Sequence, residues 1–112
     1  MAAAGGKLVL FGGHDGAHYL NDTWTWNGSA WSQQNVAGPS KREIAAMATL
    51  GDKAVLFGGD DGTSSPPADT LFGGTNGHSQ VYDDTWTWNG TSWKQESATG
   101  PSVRFSAPMT SL

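Results

Sequence analysis

The feature that most constrains this chain is that it repeats itself. Asp22-Thr23-Trp24-Thr25-Trp26-Asn27-Gly28 recurs letter for letter as Asp84-Thr85-Trp86-Thr87-Trp88-Asn89-Gly90. Each copy reaches a third tryptophan, Trp31 or Trp93, and then a Gly-Pro-Ser, at 38–40 or 100–102. Ahead of each copy stands a second echo, Leu10-Phe11-Gly12-Gly13 and Leu56-Phe57-Gly58-Gly59. Repetition at this spacing marks an architecture in which one unit cannot bury its own hydrophobic face and must stack on a neighbour.

Composition narrows the class. Sixteen glycines and short aromatic and β-branched runs, with no periodic run of helix formers, point to an all-β chain. The formal net charge of −4 argues against a nucleic-acid surface, which needs clustered Lys and Arg. No apolar run approaches the ~18–20 residues of a membrane span. Residues 1–6 lack the charged and long apolar regions of a secretory signal. The absence of cysteine excludes disulfides and thiolate metal sites, and leaves extracellular and cytoplasmic settings open.

Aligning the chain to itself sets the units. A shift of about 46 residues carries Met1 onto Met47, Gly5 onto Gly51 and Phe11 onto Phe57; a shift of about 62 carries Trp24 onto Trp86, Arg42 onto Arg104 and Met47 onto Met109. The difference is an insertion at about 62–83. Two units are expected, 1–50 and 51–112. Each should hold four short strands: a (Glu43–Leu50 or Phe105–Leu112), b (Lys7–Phe11 or Lys53–Phe57, ended by the double glycine), c (Thr23–Trp26 or Thr85–Trp88) and d (from Ala30 or Ser92). Gly51-Asp52 reads as a two-residue a–b hairpin. Asn27-Gly28 and Asn89-Gly90 read as type I′ turns whose Asn is chosen for positive φ. Both also fit the glycosylation pattern Asn-x-Ser/Thr, but short turns between buried tryptophans are poor acceptors. The chain is then an antiparallel four-strand meander, twice.

These residues resemble a kelch repeat, the blade of a β-propeller. The resemblance rests on Arg42, Ala45-Ala46, Ala54-Val55-Leu56-Phe57, Gly58-Gly59 and the pair Trp88 and Trp93. The earlier copy offers Leu8-Val9-Leu10-Phe11, Gly12-Gly13, Trp26 and Trp31. It covers essentially the whole chain except the insertion. The kelch pattern usually has Tyr as its first aromatic and a wider pair; the compact Trp-Asn-Gly-x-x-Trp form looks like bacterial kelch variants of the galactose-oxidase-like type. The Trp-Asp signature of WD40, the rival propeller, is absent.

The resemblance implies two blades of a ring that closes with ~4–8. Two alone leave large apolar faces open. The chain is read as opening at strand b and ending on strand a. Two readings follow: a piece of a longer kelch protein, or a unit whose last strand completes the first blade of another copy, three copies making a six-bladed homotrimer.

In such a ring the b–c and d–a loops share one face, and in the family that face often carries binding. The resemblance therefore implies ligand-binding roles for Arg42 and Arg104, whose planar fork suits anionic groups; the alternative is an Arg anchoring a loop to neighbouring carbonyls or to an Asp. His14, Asp15 and His18 in the first b–c loop, and Asp60, Asp61 and His78 in the long second one, are further candidates. Neither set has diagnostic metal-ligand spacing, so solvated turn residues are the plain alternative and no metal or other cofactor is expected. The stray Leu71-Phe72-Gly73-Gly74 in the insertion reads as the remnant of a recombined blade or as a flap.

The function expected from the family is a binding module for a protein or a carbohydrate. The alternatives are a fragment of a galactose-oxidase-like or sugar-acid-processing propeller enzyme and a structural spacer. The copper chemistry of galactose oxidase needs a Tyr cross-linked to Cys, which this chain cannot supply; no Gly-x-Ser-x-Gly nucleophile motif occurs, and no paired carboxylates stand in a recognisable arrangement.

Overall fold

The computed structural model describes residues 1–62, 81–97, 99–104 and 108–110. Among them there is no helix, so none that could cross a membrane. Eight strands form two four-stranded antiparallel sheets, each joined in sequence order. The first holds β1 (Ala2–Ala4), β2 (Lys7–His14), β3 (Tyr19–Trp26) and β4 (Trp31–Gln34); the second holds β5 (Ala46–Leu50), β6 (Lys53–Phe57), β7 (Thr85–Trp88) and β8 (Trp93–Glu96). The fold class is the expected one: all-β, two antiparallel meanders.

Turn chemistry explains the tight connections. Leu50 pairs with Lys53 across Gly51-Asp52, and Gly51 at φ 63° supplies the positive-φ first position of a type II′ turn. Ala4 pairs with Lys7 across Gly5-Gly6, where both glycines have positive φ. The chain therefore opens not on strand b but on a short strand a of its own. The slot kept for another copy's last strand is held by Ala2–Ala4. The expected second strand a, Phe105–Leu112, lies partly outside the described residues, and 108–110 are not in a strand.

Three further expectations change. Asn27 and Asn89 do not take positive φ. The links are four-residue loops closing Trp26 on Trp31 and Trp88 on Trp93, with Gly28 and Gly90 carrying the positive φ. Asn27 Oδ1 accepts the backbone N–H of Ser29 (2.9 Å) and Ala30 (3.0 Å), and Asn89 does the same for Thr91 and Ser92. The Asn is an Asx-turn acceptor. Strand b does not stop at the first double glycine: β2 runs through it to His14, with a bulge between Phe11 and Gly13. Finally, β5 starts at Ala46 rather than Glu43, because Ile44 at φ 57° leaves the extended region.

Alternation assigns the faces. Val9 and Thr25 share one face of the first sheet with Ala2, as do Phe11 and Thr23; Leu8, Trp26 and Trp31 share the other. In the second sheet Ala54, Trp88 and Trp93 share a face with Leu56 and Trp86. The core lies between the Val9–Phe11 face of the first sheet and the Trp88–Trp93 face of the second. There Trp93 meets Phe11 edge-on at 5.5 Å between ring centroids, and its indole N–H donates to Thr23 Oγ1 at 2.9 Å. Thr49 Oγ1 and the backbone of Ala3 exchange hydrogen bonds at the β1–β5 edge. The two contacting faces are different faces of the same repeat, so the sheets stack head to tail. Trp88 and Trp93 are 1% and 8% exposed, but their counterpart Trp31 is 44% exposed. The expectation that both copies' tryptophans are buried holds only for Trp88 and Trp93; Trp24, Trp26 and Trp86 are half-buried.

Candidate functional site

The candidate residues gather where β2 turns to β3 and where the chain crosses between sheets. The double glycines shape this end. Gly12 has φ 65°, and a Cβ there would stand 2.6 Å from the carbonyl oxygen of Arg42; at Gly58 (φ 72°) it would strike that of Arg104. Only glycine admits so close a backbone approach. The approach is used: Gly13 N–H donates to Arg42 O (2.9 Å) and Arg42 N–H to Leu20 O (3.1 Å), while Gly59 and Tyr82 hold the backbone of Arg104 in the same way.

From that anchorage on the first sheet, the Arg42 side chain crosses to the second. Its Nη1 donates to Asp84 Oδ1 (2.6 Å) and to Gly58 O (3.0 Å), and its Nη2 to Asp84 Oδ2 (3.1 Å) and Ser40 Oγ (3.0 Å). Its Nε donates to Ser40 O (3.0 Å), and its guanidinium carbon lies 3.9 Å from the centroid of Tyr82. A guanidinium has five N–H donors, and all five are committed. Arg42 is also 1% exposed. It clasps one sheet to the next and has no donor left for a ligand. Burial raises the Asp84 carboxyl, but the hydrogen bonds from Arg42 and Trp86 outweigh it and hold the pKa below the usual carboxylate value.

Arg104 repeats the near half of this arrangement without the far half. Its Nε donates to Ser102 O (3.0 Å) and its Nη2 to Ser102 Oγ (3.1 Å), matching Arg42 on Ser40. The side chain is exposed, and no carboxylate among the described residues pairs with it. Conversely Asp22, the counterpart of Asp84, accepts the Trp24 indole N–H on Oδ2 (2.8 Å), as Asp84 does from Trp86. Its Oδ1 is buried and, among the described residues, has no hydrogen-bond partner.

The first loop is held by itself. Asp15 Oδ1 accepts the N–H of Ala17 (2.9 Å) and His18 (2.7 Å), which lowers the Asp15 pKa. His14 Nδ1 accepts the N–H of Gly16, and the His14 ring meets Tyr19 edge-on. His14, Asp15 and His18 are exposed; His14 ends β2 opposite Tyr19, and among the described residues none of the three contacts the second sheet.

Asp60 is part of the framework: its backbone bridges Glu43 and Val81, and its carboxylate accepts the N–H of Gly62. Asp61 is buried and accepts the Tyr82 hydroxyl at 2.9 Å. His78 and Leu71-Phe72-Gly73-Gly74 lie outside the described residues. Among the described residues no group of three or more His, Asp or Glu side chains is placed to hold a metal ion.

Two features escaped sequence reasoning. One is a polar cleft of 440 Å³ between Asn21, Asp22, Gln33, Gln34, Asn35 and the 36–39 segment. The signal was there in the amides, Asn21 beside Asp22 and the run Gln33-Gln34-Asn35 beyond Trp31. The other is an apolar cleft of 290 Å³ on the outer face of the second sheet, lined by Val55, Phe57 and Thr85 of that sheet and by Pro101, Arg104, Pro108 and Met109 of the segment that follows it. Compared with protein-family models and with curated proteins, the chain matches none of them.

Proposed function

We propose that the chain is a binding module of the kelch β-propeller type, in the compact galactose-oxidase-like form, taking a protein or carbohydrate ligand at its loop end. The support for the propeller is the one joint between the two sheets: the first sheet's Val9–Phe11 face receives the second sheet's tryptophans, and Arg42 clasps the first sheet to Asp84 on the second. A joint between unlike faces of one repeat, made again by each further repeat, is what a ring of blades requires.

The observation that carries the binding role is the division of labour at the loop end. Arg42, Asp84, Asp60 and Asp61 are taken up in holding the framework. His14, Asp15 and His18 stand exposed on a loop that Asp15 itself pre-shapes, so their outward groups are available to a partner at little ordering cost.

The test is a titration of the labelled chain with neutral and uronic-acid oligosaccharides, followed by backbone amide shifts. A carbohydrate ligand should move the amides of residues 14–18 and lose affinity in His14→Ala and His18→Ala. A ligand of any kind that leaves those amides still and shifts only the sheet faces overturns the assignment of the site.

A further inference from the structure

We infer that a second copy of this chain docks head to tail on the first, with Arg104 of one copy forked onto Asp22 of the next and Trp31 of that next copy seated in the Val55–Phe57–Thr85 cleft. The inference stands apart from the ligand at the loop end; it needs only the internal joint between the two sheets as its template.

The internal joint has three parts, and each outer face of the chain carries half of each. The first part is apolar. Trp93 packs on Phe11 and against Gly38, where a Cβ would come within 2.6 Å of the indole. The counterparts of Phe11 and Gly38 on the second sheet are Phe57 and Gly100, and beside Phe57 lies the apolar cleft of 290 Å³. The counterpart of Trp93 is Trp31, 44% exposed on the outer face of the first sheet with Leu8, itself 38% exposed.

The second part is a hydrogen bond. Trp93 Nε1–H donates to Thr23 Oγ1 in the joint, and Thr85 lines the open cleft at the position of Thr23.

The third is the ion pair. Arg42 is anchored by its backbone on one sheet and reaches Asp84 on the next. Arg104 is anchored identically on the second sheet and is pre-set by Ser102, and among the described residues no carboxylate pairs with it. Asp22 holds the place of Asp84, with one oxygen already on Trp24 and the other buried and, among the described residues, unpaired. A carboxylate oxygen without a hydrogen bond is rare, and a guanidinium fork, reached by a turn of the half-buried Asp22 side chain, is its best-fitting partner. The charges are opposite and the spacing is one already made within the chain. A heterologous joint of this kind either closes a ring or runs on. Two, three or four copies would close rings of four, six or eight sheets, the span found in propellers. No strand need be exchanged, because Ala2–Ala4 already fill the edge of β2.

The experiment uses the natural lack of cysteine. Arg104→Cys and Asp22→Cys are made in separate full chains, checked for fold by near-ultraviolet circular dichroism, mixed at high concentration and treated with a short bis-maleimide that spans the length of the replaced arginine side chain, a gap too wide for a disulfide. Head-to-tail docking predicts a cross-link between the two unlike chains well in excess of either homodimer; a statistical mixture overturns the joint.

Light scattering against concentration supplies the second readout. The unmodified chain should give a discrete species at a whole multiple of 11.7 kDa. Arg104→Ala and Trp31→Ser should each weaken it at least about tenfold, and Arg104→Lys should restore only part. A chain that stays monomeric at high concentration, or an association indifferent to Arg104, refutes the proposal. Both readouts are independent of oligosaccharide binding, so either reading can fail alone.

Discussion

Arg42 and Asp84, 42 residues apart, form a two-pronged ion pair at 2.6 and 3.1 Å that ties the crossing between the sheets to the start of β7. The guanidinium is almost wholly buried while the carboxylate keeps some exposure. Asp22 occupies the same place in the first sheet with, among the described residues, no arginine upon it.

That contrast makes the pair's contribution measurable. Asp84→Asn or Arg42→Ala strands a buried partner and should destabilise the chain by about 3 kcal/mol in urea unfolding. Arg42→Lys should recover little, since a point charge cannot serve Gly58 O, Ser40 and both oxygens of Asp84 together. Asp22→Asn, by contrast, should change monomer stability by less than about 1 kcal/mol, because Trp24 keeps an acceptor.

Acid should act through the same carboxylate. The folded pKa of Asp84 lies below its unfolded value of 3.8, so the unfolded chain binds the proton more readily. The stabilisation is complete above the unfolded value and is lost as pH falls through the lower folded one. Urea midpoints measured from pH 6 downward should fall in that range, and the Asp84→Asn chain should lack this component of the fall.

The two third tryptophans offer a matched pair of sites. Trp93→Ala removes an indole packed on Phe11 and leaves Thr23 Oγ1 without its donor, and should cost about 3–5 kcal/mol. Trp31→Ala at low protein concentration should cost under about 1 kcal/mol, since that ring touches mainly Trp26. Equal effects on the two chains' thermal midpoints would contradict the assignment of a single covered face.

Backbone approach can be probed at two glycines of positive φ. Gly58→Ala forces a Cβ onto the carbonyl of Arg104 and that of Tyr82 and should unfold or strongly destabilise the second sheet. Gly90→Ala also meets positive φ, but into open space, and should cost only about 1 kcal/mol of backbone strain. Differential scanning calorimetry on both variants separates steric from conformational cost.

Much of the framework was legible in the letters. The period, the tight Gly51-Asp52 hairpin and strands β6, β7 and β8 follow from repetition and turn chemistry, which act locally. What was not legible depends on place rather than residue type. Trp31 and Trp93 sit in the same local sequence, yet one is exposed and the other buried, because among the described residues only Trp93 has a sheet in front of it. Arg42 and Arg104 share the same kind of Ser contact, yet among the described residues only Arg42 meets a carboxylate. Asn27 was assigned the wrong task because Asn-Gly serves both a two-residue turn and a longer Asx loop, and the Trp26–Trp31 pairing decides between them. The short strand Ala2–Ala4 carries no β-branched or aromatic residue to announce it. It is fixed by its pairing to Val9 and Leu8.

Because each sheet greets its neighbour with an unlike face, the stack has a direction, as a row of cups has a rim and a base. Lengthening such a protein by gene duplication requires no new surface to be invented, since every added repeat arrives with both halves of the joint. The number of repeats is thereby freed from the chemistry of any single one, and the substitutions that matter most are those that let one end tell its own kind from a stranger's.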